Sequence, residues 1–240
     1  MWSRRITRLV SFMLGVTLPL AVGNAMAQGE APPSSRPTTP DVPGIVLYDQ
    51  INNPGTNAIT SQNFESDLDA FDGRAADDFV VTSGVFWTIT SVEISGKYEG
   101  ASAIVNSVNV QFYRDAGTGL PGELEYSATL VPSGGLNDGN FVIDLSPPAY
   151  LAPGGLWLSI QANMDFAGAN VWQWEERTVQ SRSAAAYQNP GGGSAPACVT
   201  WGRLWDVCFS PGEGHAPDLL FRLSGTEGPA IQAYLPLISR

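Results

Sequence analysis

The sequence predicts an all-β protein, an antiparallel β-sandwich of the jelly-roll type. Short apolar segments recur along the chain, and each is bounded by Gly, Pro, Asn or Asp, as strands between turns are. Several of them alternate apolar and polar residues, which is the period of two expected of a half-buried strand. No long segment has helical periodicity, and a parallel sheet would need crossover helices. Eight or more strands in one domain favour a jelly roll.

The predicted strands follow one another from Ile45 to Leu223. They are Ile45–Tyr48, Asp78–Val81, Phe86–Tyr98, Val108–Phe112, Leu124–Val131, Phe141–Leu145, Leu156–Ala162, Val171–Glu175 and Leu219–Leu223. The alternation is clearest from Val108 to Phe112. Asp115 to Gly122 contains three glycines and one proline, which predicts a turn. Ser181 to Tyr187 is compatible with one short helical turn.

The two ends of the chain differ in composition from the predicted β-sandwich domain, residues 44–225. Residues 1–27 combine three arginines, an apolar run from Leu9 to Val22 and an Ala-Met-Ala site, which is typical of a cleaved signal peptide. The alternative is a membrane anchor, but the run is shorter than the roughly 20 residues that cross a bilayer. Residues 28–43, rich in Pro, Ser and Thr, form a flexible leader, and residues 226–240 a linker and C-terminal tail. We therefore expect a secreted or cell-surface protein with no transmembrane segment after cleavage.

The chain is strongly acidic, with a formal net charge of −11. Signal cleavage removes three arginines and no acid, which takes the charge to −14. Such a protein repels phosphate backbones, so nucleic acid is not an expected partner. The acidity suits either solubility outside the cell or calcium binding.

The cysteines and the single histidine limit the chemistry of the protein. Cys198 and Cys208 are expected to form a disulfide in an oxidising compartment. His215 is the only histidine and lies in a Gly/Pro-rich loop, so neither a Ser-His-Asp triad nor a three-His metal centre is expected. We expect no catalytic activity and no catalytic residue.

Tryptophans are concentrated in the last third of the domain. They are Trp157, Trp172, Trp174, Trp201 and Trp205. A flat ring can stack on the apolar face of a sugar while nearby amides bind its hydroxyls, so these five are candidate ligand-binding residues. The alternative is packing in the core or between sheets, which large aromatics often do. Within the disulfide loop, Trp201 and Trp205 either cover the sheet end or form a recognition tip.

Two acidic groups are candidates for metal or catalytic chemistry. Asp67, Asp69 and Asp72 are candidate calcium ligands, although their spacing is not that of an EF-hand. The alternative is a solvated acidic loop. Glu175 and Glu176 are adjacent on a predicted strand, so they point to opposite faces and cannot flank one glycosidic bond as a pair.

Several motifs together resemble a broad group of uncharacterised bacterial secreted proteins with a β-sandwich domain. The motifs are Leu47-Tyr48-Asp49, Ala76-Asp77-Asp78-Phe79, Trp87-Thr88-Ile89, Tyr113-Arg114-Asp115, Leu151-Ala152-Pro153-Gly154 and Phe221-Arg222-Leu223-Ser224-Gly225. The resemblance covers nearly all of residues 44–225 and implies the fold, but no activity. The Tyr234-Leu235-Pro236-Leu237 tail is similar to those of many secreted bacterial proteins, which implies export or surface retention; a last edge strand or a frayed end is the alternative.

These observations predict a secreted or cell-surface β-sandwich binding module, with an extracellular glycan or an envelope component as its partner. Carbohydrate is the expected ligand class. Two other functions stay open: a structural or adhesive envelope protein without a small ligand, and a polysaccharide-acting enzyme.

Overall fold

A computed structural model describes residues 44–100, 105–167, 169–209 and 215–229 of the protein. The predicted signal peptide, residues 1–27, and the leader, residues 28–43, lie outside the described residues. The same holds for residues 230–240, which contain the motif of the C-terminal tail. Among the described residues, the structure contains no helix with the length and apolar character that crossing a bilayer requires.

The described residues form β-strands almost throughout. The strands are β1 (Ile45–Asp49), β2 (Pro54–Thr60), β3 (Gln62–Asn63), β4 (Arg74–Val81), β5 (Val85–Ile94), β6 (Gly96–Glu99), β7 (Ser107–Asp115), β8 (Pro121–Leu130), β9 (Val142–Leu151), β10 (Gly154–Asn163), β11 (Val171–Arg177), β12 (Ala186–Gln188), β13 (Gly202–Arg203), β14 (Asp218–Leu219) and β15 (Phe221–Pro229). The helical elements are two short 3₁₀ helices, Ser66–Phe71 and Pro196–Cys198, and one π-helical turn, Leu204–Cys208.

Eight strands form two sheets with jelly-roll topology. Sheet I has the order β1-β15-β5-β9, and sheet II has β4-β10-β7-β8, with β12 and β13 added beside β4 and β3 paired with the end of β10. Neighbouring strands among these eight are antiparallel. Numbered one to eight along the chain, they run 1-8-3-6 in sheet I and 2-7-4-5 in sheet II, so the chain crosses repeatedly between the sheets. This is the arrangement of a jelly roll, and the predicted fold class is confirmed.

The core lies between sheets I and II. Phe79 of β4 is fully buried and packs against Phe112 of sheet II and against Trp87 and Phe221 of sheet I, with ring centroids 6.0 to 6.2 Å apart. On β10, the apolar face from Leu156 to Ala162 is fully buried, as the alternation predicts. Burying one such side chain stabilises the fold by about 1.5–3 kcal/mol.

A third, smaller sheet surrounds β11. Sheet III pairs β11 with β2 along one edge and with β6 and β14 along the other. Since β6 follows β5 and β14 precedes β15, sheet III is joined to two strands of sheet I. Gly96 of β6 leaves room for the indole of Trp172, because a Cβ there would lie 2.7 Å from that ring.

Between β11 and β14, the described residues 178–209 lie beside and over sheet II. It contributes β12 and β13 as well as the disulfide between Cys198 and Cys208, whose Cα atoms are 5.2 Å apart. The helical turn considered for Ser181–Tyr187 is not formed, because Ala186 and Tyr187 pair with β4 as part of β12. The last strand, β15, continues past the predicted domain end at residue 225 to Pro229.

Candidate functional site

Trp172 and Trp174 belong to the interior of the protein. Both side chains are 0% exposed. Trp172 stacks on Phe141 with 5.0 Å between ring centroids, and its indole N–H donates to the carbonyl of Gly139. The indole of Trp174 donates to the carbonyl of Leu220 at 2.8 Å. The prediction that these two rings bind a ligand at the surface is therefore wrong; packing between sheets, the alternative, is what they do.

Trp157 lies on the outer face of sheet II, as the alternation on β10 predicts, but it is also 0% exposed. Trp201 and Leu120 pack over the small cluster that contains it. The guanidinium of Arg203 lies 5.9 Å from the centre of its ring, and its indole donates to Asp115 at 3.0 Å. The prediction of Trp157 as a ligand-stacking residue is thus wrong as well, because a distant segment of the chain covers its ring.

Beyond this cover, the outer face of sheet II carries a row of polar side chains. Strand pairing places five of them side by side across β12, β4, β10, β7 and β8: Gln188, Arg74, Gln161, Asn109 and Thr129. Adjacent strands are about 4.8 Å apart, so the row extends roughly 19 Å across the sheet. Its members are partly or largely uncovered, except for Gln161, which is 8% exposed.

Hydrogen bonds hold this row in a fixed arrangement. The amide of Asn109 donates to Gln161 and to Asn163, both at 3.1 Å. The carbonyl oxygen of the same Asn109 accepts from Thr129 at 2.8 Å. A primary amide carries two donors and two acceptor lone pairs, and Asn109 uses all four within the network, since its oxygen also accepts from Asn163 at 3.1 Å. The capacity that remains for a ligand among the described residues is the amide N–H donors of Gln111, whose oxygen alone is engaged.

Aromatic rings border the row on one side. Tyr113 and Trp201 meet edge to face with 5.5 Å between ring centroids, and Trp201 is partly exposed. The hydroxyl of Tyr113 donates to Gln111 at 2.8 Å, and Arg74 donates to the same oxygen at 3.3 Å. We call the surface formed by Arg74, Asn109, Gln111, Gln161, Asn163 and Trp201 the amide face. Of the five predicted tryptophans, Trp201 is the one that belongs to it.

Trp205 lies elsewhere, beside a cavity of about 280 Å³ that is lined by both polar and apolar residues. Its ring stacks on the imidazole of His215 at 3.6 Å between centroids. The Nδ1 atom of His215 lies 3.0 Å from Oε1 of Glu176, whose other oxygen accepts from the backbone N–H of Ala216 at 2.6 Å. Sequence reasoning missed this His–Glu pair, because the two residues are far apart in the chain.

The His–Glu pair could orient an imidazole for proton transfer through Nε2. Glu176 is fully buried, whereas Glu175, its neighbour, is partly exposed and accepts from Ser95 at 2.6 Å. The two glutamates therefore point to opposite sides of β11. None of the described residues lining the cavity is Ser, Thr or Cys, so these residues contain no nucleophile for a triad.

A cluster of buried carboxyl groups joins β4 to β14. Asp77 accepts from Gln50 and from the backbone N–H of Leu219, both at 2.7 Å. Asp218 and Asp78 each lie beside an arginine, Arg177 at 3.6 Å and Arg182 at 3.5 Å. These carboxyl groups are essentially inaccessible to solvent, so they brace the strands rather than face a ligand.

Burial changes the acidity of this cluster. Desolvation, with the charge of Asp218 as a second cause, raises the pKa of Asp77 well above its ordinary value. Desolvation raises the pKa of Asp218 to about 7 and that of Asp78 to about 6. In each of the latter two, hydrogen bonds and the neighbouring arginine partly oppose the shift.

The acidic segment from Glu65 to Asp72 does not form the predicted calcium site. Asp67 and Asp69 lie exposed on the 3₁₀ helix Ser66–Phe71, while Asp72 accepts from the backbone N–H of Phe64 at 2.8 Å. Within the described parts of the chain, no three His, Cys, Asp or Glu residues are placed to hold a metal ion. Asp67 and Asp69 are two positions apart on the 3₁₀ helix and so point to different sides of it, while Asp72 lies beyond the helix end and is held by its bond to Phe64.

Comparison with models of known protein families and with curated proteins finds no match to this chain. The class of the protein is therefore defined by its fold and its surfaces alone. It is a jelly-roll β-sandwich, and the outer face of its larger sheet is polar and bordered by aromatic rings. The resemblance to bacterial secreted proteins stays a prediction.

Proposed function

We propose that the protein is a non-catalytic, extracytoplasmic binding module that holds a glycan on the amide face of sheet II. The observation that carries this proposal is the row of amide, guanidinium and hydroxyl groups that crosses five strands. Gln111 connects this row to the aromatic pair of Tyr113 and Trp201. Sugar hydroxyls both donate and accept hydrogen bonds, and side-chain amides offer both capacities next to each other. The predicted signal peptide supports the location, because glycans are abundant outside the cytoplasm.

The dimensions and rigidity of the amide face also support a glycan. A row of roughly 19 Å is long enough for several linked sugar rings. Its side chains are held by their neighbours, which lowers the ordering cost of binding. Binding residues fixed on strands are positioned more accurately than residues on loops.

A glycan array followed by titration of the best ligand tests the proposal. We expect Gln111→Ala to weaken binding about 10-fold, since it removes amide donors that face the ligand. Asn109→Ala should weaken binding to a similar extent, about 10-fold, because it releases Gln161 and Asn163 from their fixed positions. Tyr150→Ala is the matched control, because Tyr150 is 70% exposed on β9 of the opposite sheet and its loss should leave binding unchanged. Equal weakening by all three variants, or binding that none of them affects, would contradict the assignment to the amide face.

The two other functions predict different results in the same experiments. A structural or adhesive envelope protein would bind no glycan on the array but would associate with itself or with the envelope. A polysaccharide-acting enzyme would release reducing ends from its substrate, and Glu176→Gln would stop that release. Glycan binding without product formation is the result that our proposal expects.

A further inference from the structure

A separate cavity in the described part of the protein is lined mainly by aromatic and aliphatic side chains. It lies between β2, the 3₁₀ helix Ser66–Phe71 and the chain around Phe166, and its volume is about 400 Å³. Five of its lining residues are aromatic: Phe64, Phe71, Phe166, Tyr187 and Phe209. The volume is within the range of small-molecule sites, about 300–1,000 Å³. This cavity is separate from the amide face.

Two of the aromatic rings are unusually exposed. Phe71 and Phe166 are 44% and 40% exposed, respectively, and both line the cavity. Phe64 meets Phe166 edge to face with 5.9 Å between centroids, which fixes the orientation of one wall. Large apolar side chains left uncovered around a concave site are a common sign of a ligand that covers them.

The walls of this cavity are held by carboxylates. A carboxylate oxygen of Glu65 accepts from the backbone N–H of Phe166, and one of Asp72 accepts from that of Phe64, both at 2.8 Å. Asp67 and Asp69 lie between them on the same segment. None of the four forms a salt bridge within the described residues.

None of the described residues that line the cavity is charged. The segment beside it carries four carboxylates, and the charge of Arg74 acts on one of them, Asp72, so acidic groups outnumber the basic one and set a negative local potential. The carboxylates would repel an anionic ligand, and a neutral ligand would be bound by apolar contact alone. A cation would be attracted both by the carboxylates and by the faces of the aromatic rings.

We propose that this cavity binds a small organic cation with an apolar body, such as a substituted ammonium ion. The apolar body fills the space among the phenylalanines, and the positive charge lies towards the segment from Glu65 to Asp72. This site would be a second binding function, independent of the glycan proposed for the amide face.

Isothermal titration with three ligands that share a benzyl group tests the proposal. The ligands are benzyltrimethylammonium, benzyl alcohol and phenylacetate, which differ in charge at the same position. We expect the cation to bind at least about 10-fold more tightly than phenylacetate, since cation–π contact and the carboxylates both favour it. Equal affinities for the cation and the anion, or no binding of any of the three, would overturn the proposal.

Variants of the cavity locate the binding. Phe71→Ala and Phe166→Ala should weaken binding of the cation by about 10-fold or more, and their partial exposure lets the fold tolerate the change. Phe86→Ala is the matched control, because Phe86 is 37% exposed on β5, outside the cavity. Asp69→Asn should reduce the preference for the cation over phenylacetate. Cation binding that survives both cavity variants would place the ligand elsewhere and overturn the proposal.

Discussion

Asp218 is expected to make the protein more stable at mildly acid pH than at alkaline pH. Its carboxyl group is fully buried, and desolvation raises its pKa from 3.8 to about 7. A raised folded-state pKa means that the protonated form is favoured by folding. The stabilisation is complete below pH 3.8 and is lost as pH rises through about 7.

The size of this effect follows from the shift. A shift of about three pKa units corresponds to roughly 4 kcal/mol between the acid and alkaline limits, and about 2–3 kcal/mol of this is lost between pH 5 and pH 8. Asp78, with a pKa of about 6, changes stability in the same direction and lies next to Asp77 in the same cluster. The carboxyl cluster as a whole therefore makes the folded protein more stable at acid pH than at alkaline pH.

Urea unfolding at pH 5, 6, 7 and 8 measures the free energy of unfolding across this window. We expect Asp218→Asn to lose about 2–3 kcal/mol of the pH dependence between pH 5 and pH 8, because the amide does not titrate. Asp144→Asn is a suitable control, since Asp144 is exposed on β9. A wild-type stability that is flat or rises towards pH 8, or a variant that keeps the full pH dependence, would refute the reasoning.

Three further predictions concern the packing of the fold. Gly202→Ala should lower the free energy of unfolding by about 1–3 kcal/mol in urea, because the added Cβ would lie 2.5 Å from the sulfur of Cys198. Replacing Cys198 and Cys208 together by serine should cost about 3 kcal/mol, as the loop between them gains freedom in the unfolded chain; the reduced wild-type protein should melt at a similar temperature to this variant. Trp174→Ala should cost about 3–5 kcal/mol, measured by urea unfolding, because it leaves a cavity and deprives the carbonyl of Leu220 of its partner; a loss below 1 kcal/mol would mean that the ring is not part of the core.

The sequence predicts the strands well because their signal is local. On β10 the alternation from Leu156 to Ala162 identifies the face that packs in the core, and the structure buries that face completely. The same pattern also places Trp157 on the other face of the strand. The pattern does not predict that this face is covered, because the residues that cover it, Trp201 and its neighbours, come much later in the chain.

The candidate sites are less visible in the sequence, because each depends on distant residues. The amide face exists only once five strands are paired in register, and residues such as Asn109 and Gln161 have no local pattern in common. His215 and Glu176 likewise meet only through the packing of their loop and strand. The many carboxylates of the acidic segment predict a solvated loop, and they give no indication that Leu68 and Phe71 of the same segment line an apolar cavity.

The pairing of β1 with β15 has a mechanical consequence. Ile45 at the start of β1 pairs with Gly225 near the end of β15, so the described domain begins and ends at the same end of sheet I. A pulling force applied between these two ends would open the ladder one pair at a time, like a zipper, rather than load all its hydrogen bonds at once. Sheet I would then yield at low force at β1, while sheet II, which carries the amide face, lies outside the line of tension.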